Sequence, residues 1–114
     1  AACEALIGNQ AAIHTMRDKF KKRRDFIIKE LNSIDGVKCE NPGGAFYAFP
    51  SFDALVKTKK INNVSDFCFK LLEEKSVVSV PGDSFGVKNN IRFSYAISSE
   101  RINLAIQRMK ELLK

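Results

Sequence analysis

Arg92 stands in the stretch I-R-F-S-Y-A, residues 91–96, where apolar and polar side chains alternate. By the two-residue period of an extended chain, Ile91, Phe93 and Tyr95 share one face and Arg92, Ser94 and Ala96 the other. Such a strand buries its first face and holds a guanidinium out of the second. A guanidinium offers a planar fork of donors that grips a carboxylate or phosphate through two parallel hydrogen bonds, and it stays charged at any working pH. A strand also fixes the origin of the side chain more closely than a loop does, as an orienting residue requires. The same features describe an exposed strand arginine paired with a surface carboxylate, and residue type alone leaves both readings open.

Other chemistry-bearing groups are sparse. His14 is the only histidine and falls in the middle of a helical pattern beside Ile13, a poor place for a hydrolase triad or a His-based metal site. Cys3, Cys39 and Cys68 are odd in number and far apart, with no C-x-x-C pair, so no zinc site and no disulfide framework is expected. The segment P-G-D-S-F-G, residues 81–86, carries Gly82 and Gly86, which free the backbone to approach a ligand and present amide donors to an anion. P-G-G-A-F-Y-A-F-P, residues 42–50, bears glycines too, but it lacks phosphate-loop spacing and does not open a helix. It reads as a structural turn.

These residues are positioned by an α/β succession of elements. Ile13, Met16, Phe20, Ile27, Leu31 and Ile34 recur at helical spacing, which predicts one long amphipathic helix over about 11–34, closed by Asp35-Gly36. The preceding A-A-C-E-A-L-I-G reads as the tail of another helix, interrupted near Gly8. V-K-C-E and A-F-Y-A-F-P read as two strands of a hairpin turned by N-P-G-G. A cap at Ser65-Asp66 predicts a helix to Lys75 with Cys68, Leu71 and Leu72 facing inward, and V-V-S-V follows as a buried strand. A final helix starts at a Ser98 or Ser99 cap and turns Ile102, Ala105, Ile106, Met109, Leu112 and Leu113 inward. The expectation is an α/β chain, more closely an α+β small domain, with about four short strands and helices mainly on one face of the sheet.

Length and composition bound the function. A chain of 114 residues with 45% hydrophobic content, nine of them Phe, fills one core without staples. No apolar run approaches the roughly 18 residues of a membrane span, and no signal-peptide pattern opens the chain. With the cysteine usage this points to a cytoplasmic protein. The net charge of +6 is concentrated between Arg17 and Lys29. No aromatic or glycine interleaves the K-K-R-R run as a stacking platform for single strands requires, so the basic stripe reads as a solvated helix face.

Three stretches taken in order change the balance. N-P-G-G-A-F-Y-A-F-P, L-L-E-E-K-S-V-V-S-V-P-G-D-S-F-G and I-R-F-S-Y-A-I-S-S-E-R-I-N-L-A-I-Q-R-M-K-E-L-L resemble the later part of class I aminotransferases of the aspartate aminotransferase family, pyridoxal-phosphate enzymes of fold type I. The opening A-A-C-E-A-L-I-G-N-Q-A-A-I-H-T-M-R-D-K-F-K-K-R-R-D resembles that family's helical passage from its large domain into its small one, so the likeness covers essentially the whole chain.

The resemblance implies that Arg92 grips the α-carboxylate of the substrate, that Ser94 and Tyr95 support its strand, and that Phe85 and the glycines of P-G-D-S-F-G shape its approach. It implies residues 1–35 as the passage and 36–114 as a C-terminal small domain. The Schiff-base lysine lies in a Ser-Lys motif that this sequence lacks, so no catalytic, cofactor-binding or metal-binding residue is expected among these residues, and the chain alone is expected to be inactive. The full enzyme would be a homodimer using pyridoxal 5'-phosphate and exchanging an amino group between an amino acid, aspartate or glutamate foremost, and a 2-oxo acid. It would need neither nucleic acid nor membrane. The alternatives are a free-standing domain that holds an amino acid by Arg92, or a small nucleic-acid module using the open sheet face.

Overall fold

The computed structural model describes residues 2–42 and 46–113. Helix α1 (Ala2–Ile7) leads into α2 (Ala11–Asn32). Strand β1 (Tyr47–Ala48) is followed by the short helix α3 (Asp53–Lys57) and by α4 (Val64–Lys75). Strand β2 (Val80–Pro81), a 3-10 turn (Gly82–Phe85), strand β3 (Ile91–Ser94) and helix α5 (Ser99–Leu112) complete the order.

The sheet has three antiparallel strands in the order β1-β3-β2, so the strand that carries Arg92 is the central one. Ala48 pairs with Phe93 and Tyr47 with Ser94 on one flank, while Val80 pairs with Arg92 on the other. The buried face of β3, with Ile91 and Phe93, and Tyr95 just beyond it packs into one core with Leu31, Phe52, Leu71, Ile102 and Met109. Helices α2, α4 and α5 close over that face, and Lys75–Glu111 (3.0 Å) and Lys110–Glu30 (3.4 Å) tie α5 to α4 and α2 at their rims.

The caps explain where the helices start. Asn63 accepts the Asp66 amide at 2.8 Å and opens α4 two residues before the expected Ser65-Asp66, with Asp66 in the first turn. Ser98 accepts the Arg101 amide at 3.3 Å and opens α5, as its spacing foretold. Each such cap is worth about 1 kcal/mol. Gly36 takes the left-handed conformation, φ +89°, past the end of α2.

Further expectations need correction, the first being the strand number, three in the sheet where about four were expected. The hairpin between V-K-C-E and A-F-Y-A-F-P shrinks to a single antiparallel bridge, Lys38 with Ser51, and β1 pairs with β3 instead. On the edge turned away from Ser51, the Asn32 side chain accepts the Cys39 amide at 2.8 Å and donates to the Cys39 carbonyl at 3.0 Å, so this segment is held to the end of α2 as well as to Ser51. Gly43 and Gly44 of the turn lie outside the described residues. V-V-S-V is not a buried strand, since Val78 is 76% exposed and pairing starts only at Val80. Leu72 faces outward, one position off the stripe formed by Val64, Phe67, Cys68 and Leu71. Ile13 and Met16 are exposed because the first half of α2 extends beyond the sheet and the other helices.

Candidate functional site: an arginine held between two rings

Arg92 leaves β3 on the face opposite the core and is half-buried. Its guanidinium carbon lies 4.3 Å from the centre of the Tyr47 ring and 4.5 Å from that of Phe85. Both are within the range over which a cation is drawn to an aromatic face. Tyr47 comes from β1 and Phe85 from the turn after β2, so the two rings approach from opposite flanks of the central strand. Among the described residues no carboxylate lies within ion-pairing distance of Arg92, which removes the reading of a surface ion pair.

The rings are themselves supported. Phe46 packs against Tyr47 at 4.6 Å and reaches Phe20 of α2 at 6.2 Å, while Phe49 meets Phe85 edge-on at 6.1 Å. The turn that delivers Phe85 is built around Gly82, where a Cβ would sit 2.4 Å from the Val87 carbonyl oxygen and 2.8 Å from that of Asn90. Gly86 closes it in the left-handed conformation, φ +75°. The amides of Gly82, Gly86 and Val87 are donated to Asn90, Asp83 and Gly82 inside this segment. Within P-G-D-S-F-G this engages the Gly82 and Gly86 amides, which are therefore not donors for an anion.

The remaining residues singled out from the sequence divide between the faces. Ser94 lies on the Arg92 face, exposed, and its hydroxyl accepts the Ala96 amide at 3.2 Å. Tyr95 is buried on the core side, and that burial pushes its phenol above its ordinary value. Phe85 joins Arg92 directly, whereas Ser94 neighbours it and Tyr95 does not share its surface. Tyr47 had no assigned role, although it stands in the P-x-G-A-F-Y motif. Its partnership with Arg92 depends on pairing between strands 45 residues apart in number (92 − 47), which alternation within either strand does not reveal.

A cavity of about 480 Å³ lies between α5 and the segment before β2, lined by Val78, Ile97, Arg101, Leu104 and Arg108 among others. It reaches Ser94 but none of Arg92, Tyr47 and Phe85. His14 is exposed on α2, and among the described residues no group of three or more His, Cys, Asp or Glu is placed to hold a metal ion. Among them, too, no helix is long and apolar enough to cross a membrane. In the basic stripe, Arg24 folds back onto Asp25 and the Pro42 carbonyl, and Arg23 lies over Phe20.

A family model described as aminotransferase class I and II matches residues 1–109. The chain belongs to the class I and II aminotransferases. It is 38% identical to an aspartate aminotransferase of Streptomyces avermitilis over 98% of this chain and 28% of that protein. It is 41% identical to an aspartate/prephenate aminotransferase of Cereibacter sphaeroides over 96% of this chain and 29% of that protein. The crystal structure of the Rhizobium meliloti aspartate aminotransferase superposes with a TM-score of 0.89 at 35% identity, covering 98% of this chain and 29% of that one. The fold is therefore that of a small domain of a pyridoxal-phosphate-dependent transferase. The chain spans somewhat under a third of the length of these aminotransferases, and within that span the central strand presents Arg92.

Proposed function

We propose that this chain is the C-terminal small-domain portion of an aspartate-aminotransferase-like enzyme. That enzyme transfers an amino group between an amino acid, aspartate or glutamate foremost, and a 2-oxo acid. Residues 1–35 are its passage from a large domain and residues 36–114 its small domain. Homodimeric assembly and a cytoplasmic setting belong to the same reading. The observation that carries it is the guanidinium of Arg92, rigidly based on a central strand, flanked by rings and free of a carboxylate partner among the described residues.

A fork in that state is suited to take a substrate α-carboxylate through two parallel hydrogen bonds, which fixes the direction of the neighbouring Cα–H bond. It also selects α-amino acids over plain amines, which would leave the guanidinium unpaired. Tyr95 holds the strand from the core side, Ser94 steadies its exit, and Phe85 shapes the approach. Pyridoxal phosphate, when bound, supplies the electron sink that makes bonds at Cα labile. None of the lysines here stands in the Ser-Lys context that the resemblance implies for the covalent partner of that cofactor. The residues that hold it are accordingly assigned to the polypeptide outside these 114 residues.

The test uses the isolated chain and the full-length enzyme side by side. With pyridoxal phosphate, aspartate and 2-oxoglutarate, the isolated chain is expected to give no transamination above buffer. Arg92→Ala in the full-length enzyme is expected to lower kcat/KM about a hundredfold, the usual result of removing one partner of a buried charged hydrogen bond. Transamination by the isolated chain at an enzymatic rate, or wild-type kcat/KM in the Arg92→Ala enzyme, would overturn the reading.

A further inference from the structure

We infer that Tyr47, together with Phe85, is a positioning residue that holds the Arg92 guanidinium ready for a carboxylate without neutralising it. The inference rests on the proposed role of Arg92 as the carboxylate clamp and adds how that clamp is kept in place. A long, flexible arginine can be fixed by an acidic neighbour or by aromatic rings. An acidic neighbour occupies the N–H edge and competes with the substrate for the same donors. Rings attract the cation through its faces and leave the in-plane edge free.

Rings, and no carboxylate among the described residues, are what lie beside Arg92. The guanidinium carbon is 4.3 Å from the Tyr47 ring centre and 4.5 Å from that of Phe85, and among the described residues no hydrogen bond or ion pair engages its N–H groups. The two rings come from the two outer edges of the sheet, so a sideways swing of the arginine meets one or the other. Phe46 behind Tyr47 and Phe49 behind Phe85 fix the rings in turn. The side-chain freedom that a free arginine would lose on binding is already restricted, which raises carboxylate affinity through pre-organisation.

Tyr47 acts here through its ring and not through its hydroxyl, and it acts on Arg92 and not on the ligand. Both points separate this role from a general loss of structure. The donor amino acid and the acceptor 2-oxo acid carry the same α-carboxylate, so both should respond alike.

The experiment is made on the full-length enzyme with Tyr47→Leu, Tyr47→Phe, Phe85→Leu, Arg92→Ala and the Tyr47→Leu/Arg92→Ala double variant. Binding of succinate, a dicarboxylate with no amino group to transfer, is measured by calorimetry, and KM and kcat are measured for aspartate and 2-oxoglutarate. Tyr47→Leu and Phe85→Leu are expected to weaken succinate binding and raise both KM values about three- to tenfold, with kcat changed much less. Tyr47→Phe is expected to restore binding to within about twofold, since Phe keeps the aromatic face. Tyr47→Leu is expected to add nothing once Arg92 is already Ala. Phe85 is 46% exposed, so its variant keeps the test alive if Tyr47→Leu folds poorly.

If Arg92→Ala weakens succinate binding but neither ring variant does, the positioning role fails and the clamp stands. An equal loss from Tyr47→Leu in the wild-type and Arg92→Ala backgrounds also overturns it, because the ring would then act independently of the arginine. If Arg92→Ala binds succinate as the wild type does, the clamp itself fails and this inference with it.

Discussion

Burial pushes the Cys39 thiol from its ordinary 9.0 up to about 11, outweighing the opposite effect of a hydrogen bond from the Phe49 backbone. The native state therefore favours the protonated thiol, while the unfolded chain releases that proton near 9.0. The stabilisation is complete below about pH 9 and is lost as pH rises toward 11. Cys68 is raised by burial too and acts in the same direction. Cys39→Ala removes the larger part of this dependence, so between about pH 8 and 11 the wild type should lose on the order of tenfold more in folding constant than the variant. Urea midpoints across that range read the difference directly, and parallel curves would refute the assignment. At this scale the sequence was informative about Arg92, named Phe85 only through the resemblance, and was silent about Tyr47. Alternation within I-R-F-S-Y-A placed the arginine opposite the core face, but the Tyr47 and Phe85 rings meet it only through the register of two other segments.

The 3-10 turn after β2 is the element on which the site depends, because it sets the position of Phe85. Its two glycines have different reasons to be there. At Gly82 an added Cβ would meet two backbone oxygens at 2.4 and 2.8 Å, and no rotamer change relieves a backbone contact. At Gly86 the space is open and only the left-handed conformation opposes a side chain. Gly82→Ala is therefore expected to destabilise by about 1–3 kcal/mol and to displace the turn. Gly86→Ala should cost about 1–2 kcal/mol with its surroundings intact. Denaturant midpoints compare the two, and ring-proton shifts of Phe85 report displacement of the turn; an unmoved Phe85 in Gly82→Ala would count against this account. The helices were readable because α2, α4 and α5 carry apolar stripes and α4 and α5 also carry capping residues. The sheet was harder, since strands of two to four residues are too short for periodicity to choose partners. Asn32 holds the Cys39 backbone from across a turn, and the five-residue α3 is held by Asn89 donating to Asp53 at 2.8 Å, a contact between segments 36 residues apart.

At the scale of the whole molecule, one end has no core. The chain measures 53 × 29 × 24 Å with a radius of gyration of 16.0 Å, against about 13 Å for a compact chain of its length. Helix α1 and the first half of α2 account for the difference: Leu6 and Ile7 are 81% and 80% exposed, and Ile13 and Met16 are 54% and 59% exposed. Apolar side chains gathered at one end favour association, whereas the net charge of +6, much of it on α2, opposes it. Salt screens the repulsion and leaves the apolar attraction, so the isolated 114-residue chain is expected to self-associate more as ionic strength rises. Association through the basic stripe would weaken under the same change. Replacing Ile13 and Met16 by Gln keeps charge and helix propensity while removing apolar area. Sedimentation equilibrium should therefore show the wild type above its 12.8 kDa monomer mass and the double variant closer to it. A wild-type chain that stays monomeric up to about 100 µM in high salt would mean that the exposed end is too weakly apolar to drive association, because the charge repulsion between copies has then been screened.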